Sequence, residues 1–198
     1  MIQTINKETA LKDFIEKHVQ ERWIKNIEII NKNYIENSDK IESEFIKTFE
    51  KLCEKAISLQ NEGNKGEISY IYISFLRTRI MENTAFYRID AYDSNWFADK
   101  EECFEFWDAD FMFKDFFQHM EELELYKSDY LRKITSMDIE RIKKYEAIKY
   151  HIFAIEFVRT MIDQLIEVEK YKEMLKTPNI VILAGEYMDQ TEVLYPKK

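Results

Sequence analysis

Glycine, proline and cysteine are all scarce in this chain. Three glycines (Gly63, Gly66, Gly185) and two prolines (Pro178, Pro196) punctuate 198 residues. Turn-rich β architectures use both types heavily, so the scarcity predicts few turns and long helices. The two cysteines, Cys53 and Cys103, are far apart, which excludes a disulfide framework and a CxxC site. Each lies in an apolar pattern and reads as a buried free thiol, which suits a reducing compartment and a cytoplasmic location. No apolar run approaches the roughly 18 residues that a membrane span needs. The longest apolar-leaning stretch, 68–76, is interrupted by serine and tyrosine. The start, MIQTINKETALKDF, has no basic stretch followed by an apolar run, so no secretory leader is expected.

What is present is apolar and acidic. Hydrophobic residues make up 45% of the chain and aromatics 15%, enough to bury a sizeable core in one domain. The reading is a single helical domain over 1–198, with 178–198 as a β appendage. The net charge is −9. Such a surface repels phosphate backbones and anionic lipid, so neither nucleic acid nor a membrane is an expected partner. Most of this acidity reads as a solubility feature.

Periodicity predicts a mainly α fold of four to six helices. Leu11, Phe14, Val19, Trp23, Ile27, Ile30 and Tyr34 recur at three- and four-residue steps, and Glu36-Asn37-Ser38-Asp39 is expected to stop that helix. Asp39 with Glu42 looks like a capping box for a second helix, antiparallel to the first, running to the Gly63–Gly66 loop. The run 68–76 is β-branched and aromatic, but Leu76, Ile80 and Met81 continue a helical spacing, so it reads as a buried helix. Residues 85–97 and 180–195 are expected to form a small β element. Asp99 with Glu102 reads as the cap of an aromatic-rich helix carrying Phe104, Trp107, Phe113 and Phe117. The longest helix is placed near the C-terminus, from Ser136 to about Lys176, where Pro178 stops it.

Motifs that would carry chemistry are incomplete. The three histidines give neither Glu-x-x-His nor His-Glu-x-x-His, and His18 and His151 lie near apolar stripes as hydrogen-bonded core histidines would. Asp93-Ser94-Asn95 opens like a calcium loop, but Ala98 and Phe104 stand where glycine and glutamate are needed. No Gly-x-Ser-x-Gly elbow and no phosphate-cradling glycine loop is present. Asp108-Ala109-Asp110 could hold a divalent metal at the end of a strand, but reads here as lying inside a helix, where residues two apart do not face each other. No cofactor and no metal site is expected.

The densest cluster of chemistry-bearing residues is 77–110: Arg77, Arg79 and Arg88 with Asp90, Asp93, Trp96, Trp107, Asp108 and Asp110. Arginine and tryptophan are enriched at binding hot spots, although arginine–carboxylate pairs also tie neighbouring elements together. The leading expectation is a non-enzymatic protein-interaction module. It would be an acidic inhibitor- or immunity-type protein covering a basic partner, or an oligomerising subunit that meets a second copy through the 104–117 surface. The alternative is an enzyme or small-ligand binder with a site between 77–110 and the long helix. That reading calls for Asp90 or Asp108 converging with Arg88 and His151 in a deep pocket.

Overall fold

The computed structural model describes residues 6–196. Residues 1–5 of the segment read for a leader, and residues 197–198, lie outside the described residues. The elements run α1 (Lys7–His18), α2 (Arg22–Asn61), β1 (Ile68–Phe75), α3 (Arg77–Met81), β2 (Phe86–Tyr92), β3 (Phe104–Asp108), α4 (Asp110–Tyr126), α5 (Ser136–Leu165), α6 (Glu169–Glu173), β4 (Lys176–Glu186) and β5 (Thr191–Tyr195). Among the described residues no helix is long and apolar enough to cross a membrane.

The expected mainly α fold with a small β element is corrected here to helices packed on a five-stranded mixed sheet, in the order β3-β2-β1-β4-β5. The segment 68–75, expected as a helix, is the central strand. It pairs antiparallel with β2 and parallel with β4. Seven of its eight side chains are buried. A strand covered on both faces has no polar alternation, which is why its apolar run mimics a buried helix. The aromatic stretch after Asp99 is corrected in the same way. Phe104–Asp108 forms edge strand β3, whose Trp107 points into the core while Phe106 faces out, and the helix begins only at Asp110.

The longest helix is α2, 40 residues and about 60 Å, rather than a helix near the C-terminus. It runs through the Glu36–Asp39 segment, and the expected antiparallel hairpin is absent. Without glycine or proline, polar residues cost only tenths of a kcal/mol each in helix propensity, which bends a well-packed helix without ending it. The bend is at Asn37 (φ −132°, ψ 18°), whose side-chain amide donates to the Asn33 carbonyl at 3.0 Å. Tyr34 donates across the bend to Glu42 at 2.6 Å. Helix α5 starts where expected, with a true capping box in which the Thr135 N–H donates to Asp138 at 2.9 Å. It spans 30 residues and stops at Leu165. Pro178 lies inside β4, near the register shift opposite Ile68. The 178–198 segment supplies most of β4 and all of β5, so it is built into the sheet.

One sheet face carries the core. Ile71, Ile73 and Phe75 of β1, Tyr87 and Ile89 of β2, and Ile182 of β4 pack against Phe45, Phe49 and Leu52 of α2 and against α4 and α5. Each such buried side chain contributes roughly 1.5–3 kcal/mol. Both cysteines are buried free thiols. His151 of α5 is also buried here. Its Nδ1 bonds the Tyr87 hydroxyl at 3.0 Å and its ring stacks on Phe75 at 4.5 Å.

This pair fixes a pH response. Burial holds the His151 imidazole at about 4, against an ordinary value near 6.5. Between those values the unfolded chain takes up a proton that the folded chain refuses, so stability falls as pH drops from 6.5 to 4. The loss reaches about 3 kcal/mol, at ~1.4 kcal/mol per pH unit. Denaturant unfolding across this window tests it. A Tyr87→Phe, His151→Phe double variant keeps ring shapes and removes both polar groups. Its stability should depend on pH less steeply, by about one proton, than that of the native chain; equal slopes would refute the assignment.

Candidate functional site

The sheet face turned away from the helices gathers part of the 77–110 cluster. Pleating puts Tyr70, Tyr72 and Ser74 of β1 on this side with Arg88, Asp90 and Tyr92 of β2, their cross-strand partners. Arg88 grips one oxygen of Asp90 with Nε at 2.8 Å and Nη2 at 2.7 Å, and its guanidinium lies over the Phe104 ring at 4.0 Å. Asp90 is 1% exposed, and neither its second oxygen nor the buried Ser74 hydroxyl makes a hydrogen bond. Burial pushes the Asp90 carboxyl above its ordinary value, and the Arg88 hydrogen bond pulls it back.

A strap over residues 93–103 closes this face. Asp99 was expected to cap a helix; instead it anchors the strap. Its carboxylate accepts from Lys65 at 2.6 Å and from the Asp93 N–H at 2.9 Å, and Lys65 also donates to the Glu101 carbonyl at 2.7 Å. Asp93 accepts from the Asn95 N–H at 2.7 Å, forming the expected turn. Trp96 takes a left-handed conformation (φ 57°), unusual for a bulky residue, and sets its ring edge-on to Tyr70 at 4.0 Å and stacked on Tyr72 at 6.1 Å.

The other candidates are elsewhere. Arg77 pairs with Glu186 and lies 3.7 Å from Asp189, bracing the β4–β5 hairpin. Arg79 pairs with Glu82 at 3.1 Å and covers Phe106. Trp107 is buried on the opposite face, against Phe45 at 4.6 Å and Phe157 at 5.4 Å. Asp108 ends β3 and Asp110 begins α4, so the pair occupies a strand end after all and the helix reading of it is corrected. Asp108 accepts from the Asp110 N–H at 2.9 Å and borders a polar cavity of about 380 Å³ at the α2 bend. Burial raises the Asp108 carboxyl, with the charges of Asp110 and Glu44 adding to the rise. Among the described residues no group of three or more His, Cys, Asp or Glu side chains is placed to hold a metal ion. His151 lies on the helix side of the sheet, so Arg88 and Asp90 do not converge with it. The 104–117 stretch is likewise no single surface: Phe113, Phe116 and Phe117 are buried, and of its aromatic residues only Phe106 is substantially exposed.

A mainly apolar cavity of about 470 Å³ was not among the sequence candidates. Helix α2 forms one wall with Ile27, Ile30 and Tyr34, α5 the other with Phe153 and Phe157, and Phe111 and Met112 of α4 are the floor. Asn26 donates to the Tyr150 hydroxyl at 2.8 Å, Tyr34 meets Phe157 at 6.0 Å, and Gln164 reaches Glu42 at 3.4 Å. The matching order of these contacts shows that α2 and α5 run parallel. Glu28 and Glu156 are the only charged residues lining the socket. The hydrogen bond to Glu42, with burial adding to it, pushes the Tyr34 phenol up to about 12, leaving it un-ionised at neutral pH.

The outer lips carry exposed apolar residues among polar ones. On α2, Ile24 (49% exposed), Glu28, Asn31 and Ile35 (68%) recur at helical spacing; on α5, Tyr145 (73%), Ile148, Ile152 (54%) and Glu156 do the same. The sequence signal is the helical spacing of Tyr145, Ile148 and Ile152. The core uses a different face, through Ala147, Tyr150, Ala154 and Val158, and those three residues are surplus to it.

The Lys65–Asp99 pair yields a stability prediction. Both side chains are almost wholly buried, at 0% and 4% exposure. Lys65→Met strands a buried carboxylate and should destabilise by about 3 kcal/mol in denaturant unfolding. Adding Asp99→Asn should restore a substantial part of that loss; purely additive effects would show that the two groups are not coupled.

Comparison of the chain with protein-family models, curated proteins and solved structures finds no match.

Proposed function

We propose that this protein is a non-enzymatic protein-interaction module and that it docks its partner on the α2–α5 face. The observation that carries the reading is the apolar socket flanked by exposed Ile24, Ile35, Tyr145, Ile148 and Ile152. Contiguous exposed apolar surface on a soluble domain commonly marks an interaction site. A small apolar ligand would fill the socket but leave both lips in water, whereas a protein covers socket and lips together. The walls carry no His, Cys, Lys or Arg, so the site has little acid–base or nucleophilic equipment beyond two rim glutamates.

Site-specific photo-cross-linking in cells that express the protein tests this. A photoreactive phenylalanine analogue at position 152 should give a discrete protein adduct, one at the distant exposed Leu131 should not, and Ile24→Asp should abolish the first adduct. Ile24 is exposed, so that substitution should change folding stability by no more than about 0.5 kcal/mol. No adduct from position 152, or the same adducts from both positions, would overturn the reading.

A further inference from the structure

We infer that the element received by the α2–α5 face is an amphipathic helix of another protein, with an apolar stripe and lysine or arginine on its flanks. This rests on the docking reading above and adds the chemistry of the partner.

The walls are the helices α2 and α5, whose interior N–H and C=O groups are already bonded within each helix. The face therefore offers no ladder for an extended peptide, unlike a sheet edge. A segment buried on it has to satisfy its own backbone, and a helix does so.

Ile27, Ile30 and Tyr34 on one wall stand at i, i+3 and i+7, and Phe153, Phe157 and Thr160 on the other at i, i+4 and i+7. Each wall therefore spans about 10 Å, two helical turns, the reach of one i to i+7 anchor set on an incoming helix. The lips extend this to roughly 16 Å, from Ile24 to Ile35. Two parallel helices with a cleft between them make the hole into which a third helix lays its ridge.

Charge selects the occupant. The only charged residues lining the socket are Glu28 and Glu156, one on each wall. Arg159 reaches Glu156 at 3.3 Å but also bonds Glu192 at 2.6 Å, so it is shared away from the socket. Basic flanks on an incoming helix complement both glutamates. A second copy of this chain does not: pairing the face with itself brings the glutamates of both copies into one interface, between chains of net charge −9 each.

Direct binding of synthetic peptides to the purified full chain tests the inference, with fluorescence anisotropy for Kd and circular dichroism for helix gain. The probe is an amphipathic peptide of about 18 residues with leucines at i, i+3, i+4 and i+7 intervals and lysines on the flanks. The comparisons are its glutamate-for-lysine analogue and a scrambled peptide of the same composition. The lysine probe should bind at least about tenfold tighter than either, ~1.4 kcal/mol, and gain helix on binding. Glu28→Lys with Glu156→Lys should reverse the preference between lysine and glutamate probes. Ile24→Asp with Ile152→Asp should weaken all binding at least about tenfold.

Equal binding of the lysine probe and its scramble would overturn the inference, as would a charge preference unchanged in the double lysine variant. If position 152 cross-links a partner in cells but the lysine probe does not bind, the helix assignment fails and the docking reading survives. If neither occurs, both fail.

Discussion

The parallel pairing of β1 with β4 is the constraint on which the rest of the molecule depends. The two strands are adjacent in the sheet but about a hundred residues apart in the chain. A parallel pair cannot be closed by a tight turn; it needs a crossover, and the connection here holds β2, β3 and four of the helices. Antiparallel β2 and β3 extend the sheet on one side before the crossover begins. The hairpin to β5 extends it on the other after the crossover ends. The long helices α4 and α5 are thus committed to one face of the sheet, where α2 already lies.

That commitment makes the molecule asymmetric. One sheet face is sealed by helices and aromatic packing. The other is covered by the strap, which the buried Lys65–Asp99 ion pair anchors and Trp96 packs onto Tyr70 and Tyr72. Under the strap lie Arg88 and Asp90, the most site-like pair in the sequence. Two guanidinium nitrogens share one carboxylate oxygen, and the guanidinium lies over the Phe104 ring. The strap excludes water, which raises the value of the ion pair and also the cost of the Asp90 and Ser74 oxygens left without partners.

Much of the helical content was legible in the sequence, because α2, α4 and α5 each keep an apolar stripe. The start of α5 at Ser136 and the strands near 86–92 and 180–195 were legible as well. The sheet as a whole was not, for a physical reason. Its central strand is covered on both faces, so Ile68–Phe75 loses the alternation that identifies a strand. Trp107 belongs to one face of β3 and Phe106 to the other, which resembles a helix with aromatics all round. The candidate cluster was read from proximity in sequence, but alternation in β2 and β3 splits it. Arg88 and Asp90 face outward while Tyr87 and Trp107 face inward. The bend at Asn37 looked like a stop because polarity was read as termination, whereas ending a well-packed helix commonly takes a glycine, a proline or lost packing.

The bend also explains why the face proposed for docking exists. Downstream of Asn37, α2 places Ile41, Phe45, Phe49 and Leu52 on the sheet-side core; upstream, Asn26 and Tyr34 reach α5 instead. One helix thus serves two packing problems, and the upstream half is only partly solved. Its inner residues are held by α4 and α5, while Ile24 and Ile35 of α2 and Tyr145 and Ile152 of α5 are exposed. Each of these side chains would contribute on the order of 1.5–3 kcal/mol if fully buried. Scattered single exposures need no explanation. Apolar residues repeated at helical spacing on both lips of an apolar cleft are different. Folding alone gains nothing from that arrangement, whereas association recovers the burial that the two helices leave unmade.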